Sequence, residues 1–128
     1  MDRAPRHVLI VEDDNVTALV LSEYLAACGY RTTIAQTGVE GVAKFLAQRP
    51  DLAIVDVLLP KKDGFDVCFA MKRSEHGRTT PVVLMSAVYK NEAQATEYAR
   101  GVLADGFMRK PFDLDDLLTR VTELVGPP

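Results

Sequence analysis

The stretch Leu52-Ala53-Ile54-Val55-Asp56-Val57-Leu58-Leu59-Pro60-Lys61-Lys62-Asp63-Gly64 decides the fold. Its first four residues are continuously apolar, as a strand covered on both faces must be. Asp56 then closes the run, and Pro60 to Gly64 carry loop chemistry. A carboxylate at the carboxyl end of a buried parallel strand stands where open α/β sheets bind ligands. The same arrangement occurs near the start of the chain, where Val8-Leu9-Ile10-Val11 runs into Glu12-Asp13-Asp14. Two such strands side by side make an acidic pocket that only a hard cation would neutralise.

Outward from these two strands the chain alternates strand and helix five times. Asp14 is placed to cap a helix over residues 15–28, with Val16, Leu19, Val20, Tyr24, Leu25 and Cys28 as its apolar face. Gly29 supplies a left-handed stop. A short β-branched strand spans 31–35, and a second helix runs from Thr37 or Gly38 to Gln48 with Val39, Val42, Ala43 and Leu46 on one side. The third helix is expected over 65–74, with Asp63-Gly64 as a turn whose glycine takes positive φ. The fourth strand is expected over 82–86 after Pro81, the fourth helix over 91–102 and the fifth strand over 106–109. A fifth helix, capped by Asp113, is expected over 114–125. Alternating βα units imply a parallel sheet covered by helices on both faces, with right-handed crossovers.

Composition sets outer bounds. The 128 residues suffice for one domain, taken as 1–128, with Gly126-Pro127-Pro128 as a tail or the start of a linker. A net charge of -3 argues against a nucleic-acid-binding surface. No apolar stretch approaches the roughly 20 residues of a membrane span, and the N-terminus lacks a signal-peptide core, so a cytoplasmic location is expected. Cys28 and Cys68 lack metal-ligand spacing and are read as reduced structural thiols. His7 and His76 are expected at the surface.

Four features fall at strand ends and therefore on one rim: Glu12-Asp13, Asp56, Ser86-Ala87 and Lys110-Pro111-Phe112. In this order, with Asp63-Gly64 after the central acid, they resemble the receiver domain of bacterial two-component response regulators, over nearly the whole chain. The resemblance implies a flavodoxin-like (βα)5 doubly wound sheet of five parallel strands in the order 2-1-3-4-5. It implies that Asp56 accepts a phosphoryl group from the phosphohistidine of a sensor histidine kinase or phosphotransfer protein. Such a domain assists its own phosphorylation and dephosphorylation but turns over no metabolite.

The resemblance also assigns the neighbours. Mg2+ would be held by Asp13, Asp56 and the Leu58 backbone carbonyl, with Glu12 acting through water. Lys110 would pair with phosphoryl oxygens, and the Ser86 hydroxyl would bond another once the group is in place. Backbone N–H groups near Val57 and Ala87 would complete the cradle, and a cis peptide would precede Pro111. Ser86 and Phe107 would form the switch, changing the face of helix 4, strand 5 and helix 5 toward an unidentified output domain or partner, or toward a second copy. Apolar Leu58 and Val88 would slow attack by water on the phosphorylated form.

Departures from the family pattern are equally specific. Leu103 stands where a glycine usually precedes the Ala-Asp leading into strand five, and residues 88–91 look like the site of about two extra residues. Asp105-Gly106 replaces an acidic pair, which weakens a salt-bridged dimer through Arg120.

Alternatives fit less well. A phosphatase with an aspartate nucleophile needs a second carboxylate two residues on, where Leu58 stands. A nucleotide or flavin binder needs a phosphate loop after strand one, where Glu12-Asp13-Asp14 would repel it. A pseudo-receiver, binding partners without phosphorylation, is the remaining alternative. Lys61 and Lys62 read as a solvated loop.

Overall fold

The computed structural model describes residues 4–59, 63–87, 101 and 103–128. The strands are β1 (His7–Val11), β2 (Arg31–Ala35), β3 (Leu52–Asp56), β4 (Val82–Ser86) and β5 (Gly106–Arg109). They form one parallel sheet in the order β2-β1-β3-β4-β5. The described helices are α1 (Asn15–Ala27), α2 (Gly38–Gln48), α3 (Gly64–Arg73) and a C-terminal helix (Leu114–Val125). The fourth helix expected over 91–102, and the insertion expected over 88–91, lie outside the described residues, as do Lys61 and Lys62.

Strand alternation divides the core in two. Leu9, Val11, Ala53, Val55, Val82 and Leu84 point to the face covered by Phe45 of α2 and by Val67, Cys68 and Met71 of α3. Val8, Ile10, Ile54, Val83 and Met85 point to the face covered by Leu21 and Leu25 of α1 and by Leu117 and Val121 of the C-terminal helix. Each large side chain so buried contributes about 1.5–3 kcal/mol. Tyr24 ties the helices of the second layer together, its hydroxyl donating to Asp115 Oδ1 at 2.8 Å. No described helix is long and apolar enough to cross a membrane.

Two helix faces differ from the sequence expectation. On α1 the buried residues are Ala18, Leu21 and Leu25, while Val16 and Leu19 are 71% and 52% exposed. Apolar residues surround most of this helix, so the 3.6-residue period admits more than one face, and the sheet takes the 18-21-25 stripe. On α2 the buried residues are Gly38, Gly41 and Phe45, and Val39, Ala43 and Leu46 face outward. Gly41 is the reason. A Cβ there would lie 2.8 Å from Val11 Cγ2, so the missing side chain lets α2 sit directly on β1.

Caps follow the sequence more closely. Asp14 accepts from Thr17 N at 2.8 Å, Asp63 from Phe65 N at 2.7 Å, and Gly29 takes φ 105°. Asp113 holds the cap position of the C-terminal helix, but its side chain makes no capping bond. Gly64 is not a positive-φ turn residue; it is the first residue of α3. A Cβ on it would meet Asp56 O at 2.1 Å, so glycine is required there by close approach.

His7 is not a surface residue, and His76 is only partly exposed. His7 is buried, and Arg31 Nη2 donates to its Nδ1 at 3.3 Å. Its Nε2–H therefore donates to Thr33 Oγ1 at 2.7 Å, and the Thr33 hydroxyl donates to Gln48 Oε1 at 3.0 Å. His76 is half-buried and bonds the Pro50 carbonyl at 2.7 Å. Cys28 and Cys68 are not disulfide-bonded, and burial pushes the Cys68 thiol up to about 12.

Candidate functional site

Strand register brings the rim together. Val11 pairs with Val55, so the residues that follow, Glu12 and Asp56, leave the sheet side by side. Ser86 pairs with Arg109, which puts Lys110 one step beyond β4. Backbone bonds fix each exit: Glu12 N donates to Ala35 O, Val57 N to Met85 O, and Lys110 N to Ser86 O, all near 2.9 Å. The Lys110–Pro111 peptide is cis.

Lys110 is the hub of the site. Its ammonium donates to Asp56 Oδ2 and to Glu12 Oε1, each at 2.6 Å. Glu12 is 1% exposed, and Asp56 and Ser86 are buried, whereas Asp13 opens to solvent. Carboxylate oxygens of Glu12, Asp13 and Asp56 lie within 4.8 Å of one another. Three acids and one ammonium leave an uncompensated negative charge, in an all-oxygen set that fits a hard divalent cation. Burial pushes Glu12 up to about 7 even against the Lys110 bond, and a cation beside it would pull it down again. For Lys110 burial acts downward, but the hydrogen bonds to Asp56 and Glu12 outweigh it and hold the ammonium above its ordinary value.

The amide expected near Val57 becomes specific. The Val57 N–H is spent on Met85 O, whereas Leu58 N donates to Asp56 Oδ1 at 2.8 Å. The backbone donor facing the carboxylate is therefore that of Leu58. Phe107 is half-buried against the α2/α3 face of the core. Val88 lies outside the described residues.

Residues 8–122 match the family model described as the response regulator receiver domain. The chain belongs to the response regulator receiver family. This receiver is 34% identical over 118 residues to the DNA-binding dual master transcriptional regulator RpaA of Synechocystis, covering 92% of this chain and 48% of that protein. It thus spans about half the length of the curated relative it matches. The receiver superposes on the Vibrio cholerae chemotaxis protein CheY4 with TM-score 0.88 and 27% identity, covering 94% of this chain and 99% of that one. It also superposes on the receiver domain of the Pseudomonas aeruginosa sensor histidine kinase PA1611, solved with a magnesium ion in its active-site cleft. There the TM-score is 0.86 with 27% identity, covering 96% of this chain and 99% of the other.

Sequence reasoning missed three features of the receiver. It assigned Glu12 to metal and not to Lys110. It overlooked Lys72, only 8% exposed, whose ammonium donates to Thr80 O and Asp105 Oδ2 at 2.8 Å each. And it did not foresee that Asp105 is held within the domain, its Oδ2 accepting from Lys72 Nζ and from Val82 N at 2.8 Å each. A lysine in the last turn of a helix carries no local signal of burial, since cations are ordinary there; its partners lie 8 and 33 residues away.

Proposed function

We propose that Asp56 of this receiver accepts a phosphoryl group from a phosphohistidine of a sensor histidine kinase or phosphotransfer protein. The observation that carries this reading is Lys110 bonded at 2.6 Å to a buried Asp56, beside a cation-ready acid cluster. An Asp56 carboxylate oxygen attacks phosphorus, the P–N bond to the donor imidazole breaks, and an aspartyl phosphate forms. Bound Mg2+, held by Asp13, Asp56 and the Leu58 carbonyl with Glu12 in its outer shell, would offset the repulsion between carboxylate and phosphoryl oxygens. Lys110 holds Asp56 oriented before transfer and stabilises the charge developing on the phosphoryl oxygens. The Leu58 N–H and the Ser86 hydroxyl supply neutral donors at the same rim.

A protein donor also needs a place to rest. The groove beside Lys110 is walled by Val16, Val20, Pro111 and Phe112, and Val16, Leu19 and Val20 form an exposed apolar stripe next to it. That stripe suits a helical partner better than a small metabolite. The output step is the turning of Ser86 and Phe107 toward the new charge, which would alter β5 and the C-terminal helix. Asp105 is already held by Lys72, which argues against it as the acid of a symmetric dimer.

Incubation with acetyl phosphate, with and without Mg2+, and intact-mass measurement beside Asp56→Asn tests the reading. One phosphoryl group gained only with Mg2+, and absent from the variant, is the expected result. No gain in mass and no beryllofluoride binding would replace phosphoryl transfer with a phosphorylation-independent binding module.

A further inference from the structure

Glu12 sits at the centre of the site with almost no contact with solvent. Its backbone is pinned by the Glu12 N to Ala35 O bond, and its carboxylate accepts from the Lys110 ammonium at 2.6 Å. Lys110 stands after β5, an edge strand, while Glu12 stands after β1, three interstrand steps away. Steps of about 4.8 Å place the two backbones on the order of 14 Å apart. With bonds near 1.5 Å, a lysine arm of about 6 Å and a glutamate arm of about 5 Å close that gap through one short hydrogen bond. Asp56, on the strand between, meets the same ammonium from the side.

From this geometry we infer that Glu12 is a positioning residue for Lys110, holding the ammonium in place while Lys110 exchanges Asp56 for a phosphoryl oxygen. An ammonium has three donors, so it can keep Glu12 while its second bond changes hands. The Glu12 bond then fixes the end of an otherwise flexible four-carbon chain, which is what transition-state stabilisation requires of a charge. This role goes beyond an outer-shell contact to metal, and it rests on the phosphoacceptor reading of Asp56.

The two roles separate in kinetics. Glu12→Met approximates the length of the buried side chain but removes the acceptor; Glu12→Gln keeps a weaker one. Phosphorylation by acetyl phosphate is followed at rising Mg2+ in both variants, in Lys110→Ala and in Glu12→Met/Lys110→Ala. The rate at saturating Mg2+ is expected to fall about tenfold or more in Glu12→Met and less in Glu12→Gln, and Glu12→Met is expected to change it less than twofold when Lys110 is absent. Independently of turnover, the Lys110 ammonium should give a slowly exchanging proton–nitrogen NMR signal in the wild type, lost in Glu12→Met and assigned by its absence in Lys110→Ala. Recovery of the wild-type rate at saturating Mg2+ would overturn the inference, leaving Glu12 a metal partner only. Equal losses with and without Lys110 would overturn it too. A wild-type protein that takes up no phosphoryl group would instead sink the phosphoacceptor reading.

Discussion

Gly64 joins stability to the site through a single contact. A Cβ at residue 64 would fall 2.1 Å from Asp56 O and 2.5 Å from Val57 Cα, and both are backbone atoms with no rotamer to escape into. Gly64→Ala therefore forces the end of β3 and the start of α3 apart by roughly 1 Å and strains the Gly64 N to Val57 O bond of 2.8 Å. Overpacking of this kind costs about 1–3 kcal/mol, and more where only backbone can yield. Alanine returns about 0.4–1 kcal/mol through the unfolded chain. Because only backbone can yield, the overpacking cost falls in the upper part of its range, and a net loss of about 1–2.5 kcal/mol lowers Tm by roughly 3–12 °C in a domain of this size. The same displacement moves the Asp56 carboxylate relative to Lys110, and misplacement of about 1 Å can cost on the order of 100-fold in rate. Thermal unfolding by circular dichroism and acetyl phosphate uptake by intact mass read the two effects. Gly101→Ala is the control, since among the described residues nothing lies within 4 Å of a Cβ there. A Gly64→Ala protein with unchanged Tm and a phosphorylation rate within twofold of wild type would refute the argument.

Three further substitutions follow from the same structure. Lys72→Met keeps the side-chain length but leaves Thr80 O without its ammonium and Asp105 Oδ2 with only the Val82 N–H. Asp105 is partly solvated, so the cost should fall below that of a fully buried pair, at about 1–3 kcal/mol in a urea titration; an unchanged midpoint would show that the pair contributes nothing. Leu103 adopts φ 67° without being glycine, a conformation that costs about 1–2 kcal/mol for a residue with a side chain. Leu103→Gly should therefore be neutral or stabilising by up to about 1 kcal/mol, and a lower Tm would mean that the leucine side chain outweighs the strain. For His7, burial and then Arg31 depress the pKa below 6.5, with Asp51 opposing. The unfolded chain then binds the proton more readily, so the stability conferred by neutral His7 is complete above pH 6.5 and is lost as pH falls from there through the folded value. Unfolding free energies at pH 7.5 and 5.5 should differ less in His7→Gln than in wild type; an equal difference would assign the pH dependence to other groups.

What could be read from the chain, and what could not, divides along the range of the interactions. The strands were legible because both faces of a parallel sheet are covered, so 8–11, 52–55 and 82–86 are apolar apart from Ser86, and a residue of the rim ends or follows each. The structure extends these runs only by His7 and Asp56. The Asp14 cap was legible because donor and acceptor lie three residues apart, whereas Asp63, read as part of a turn, caps α3 instead. Burial of His7 and Lys72 was not, because Thr33, Thr80 and Asp105 reach them only through the folded sheet. The Glu12–Lys110 bond spans 98 residues, and both groups had another plausible role in the same pocket.

The misread helix faces carry a separate lesson. A helix covering a sheet needs one apolar stripe, and α1 supplies more apolar residues than one stripe can bury. The sheet accepts Ala18, Leu21 and Leu25, whose sizes fit against β1 and the C-terminal helix, and leaves Val16, Leu19 and Val20 in water. On α2 the close seat of Gly41 on Val11 rotates Val39 and Leu46 outward in the same way. Scattered exposed apolar residues need no explanation, but three on one helix face beside Lys110 and Phe112 make a contiguous surface. Exposure there costs solvation without helping the fold, so under the proposed phosphoacceptor reading the residues that mislead a periodicity argument on α1 would be the ones that meet a phosphoryl donor approaching Asp56.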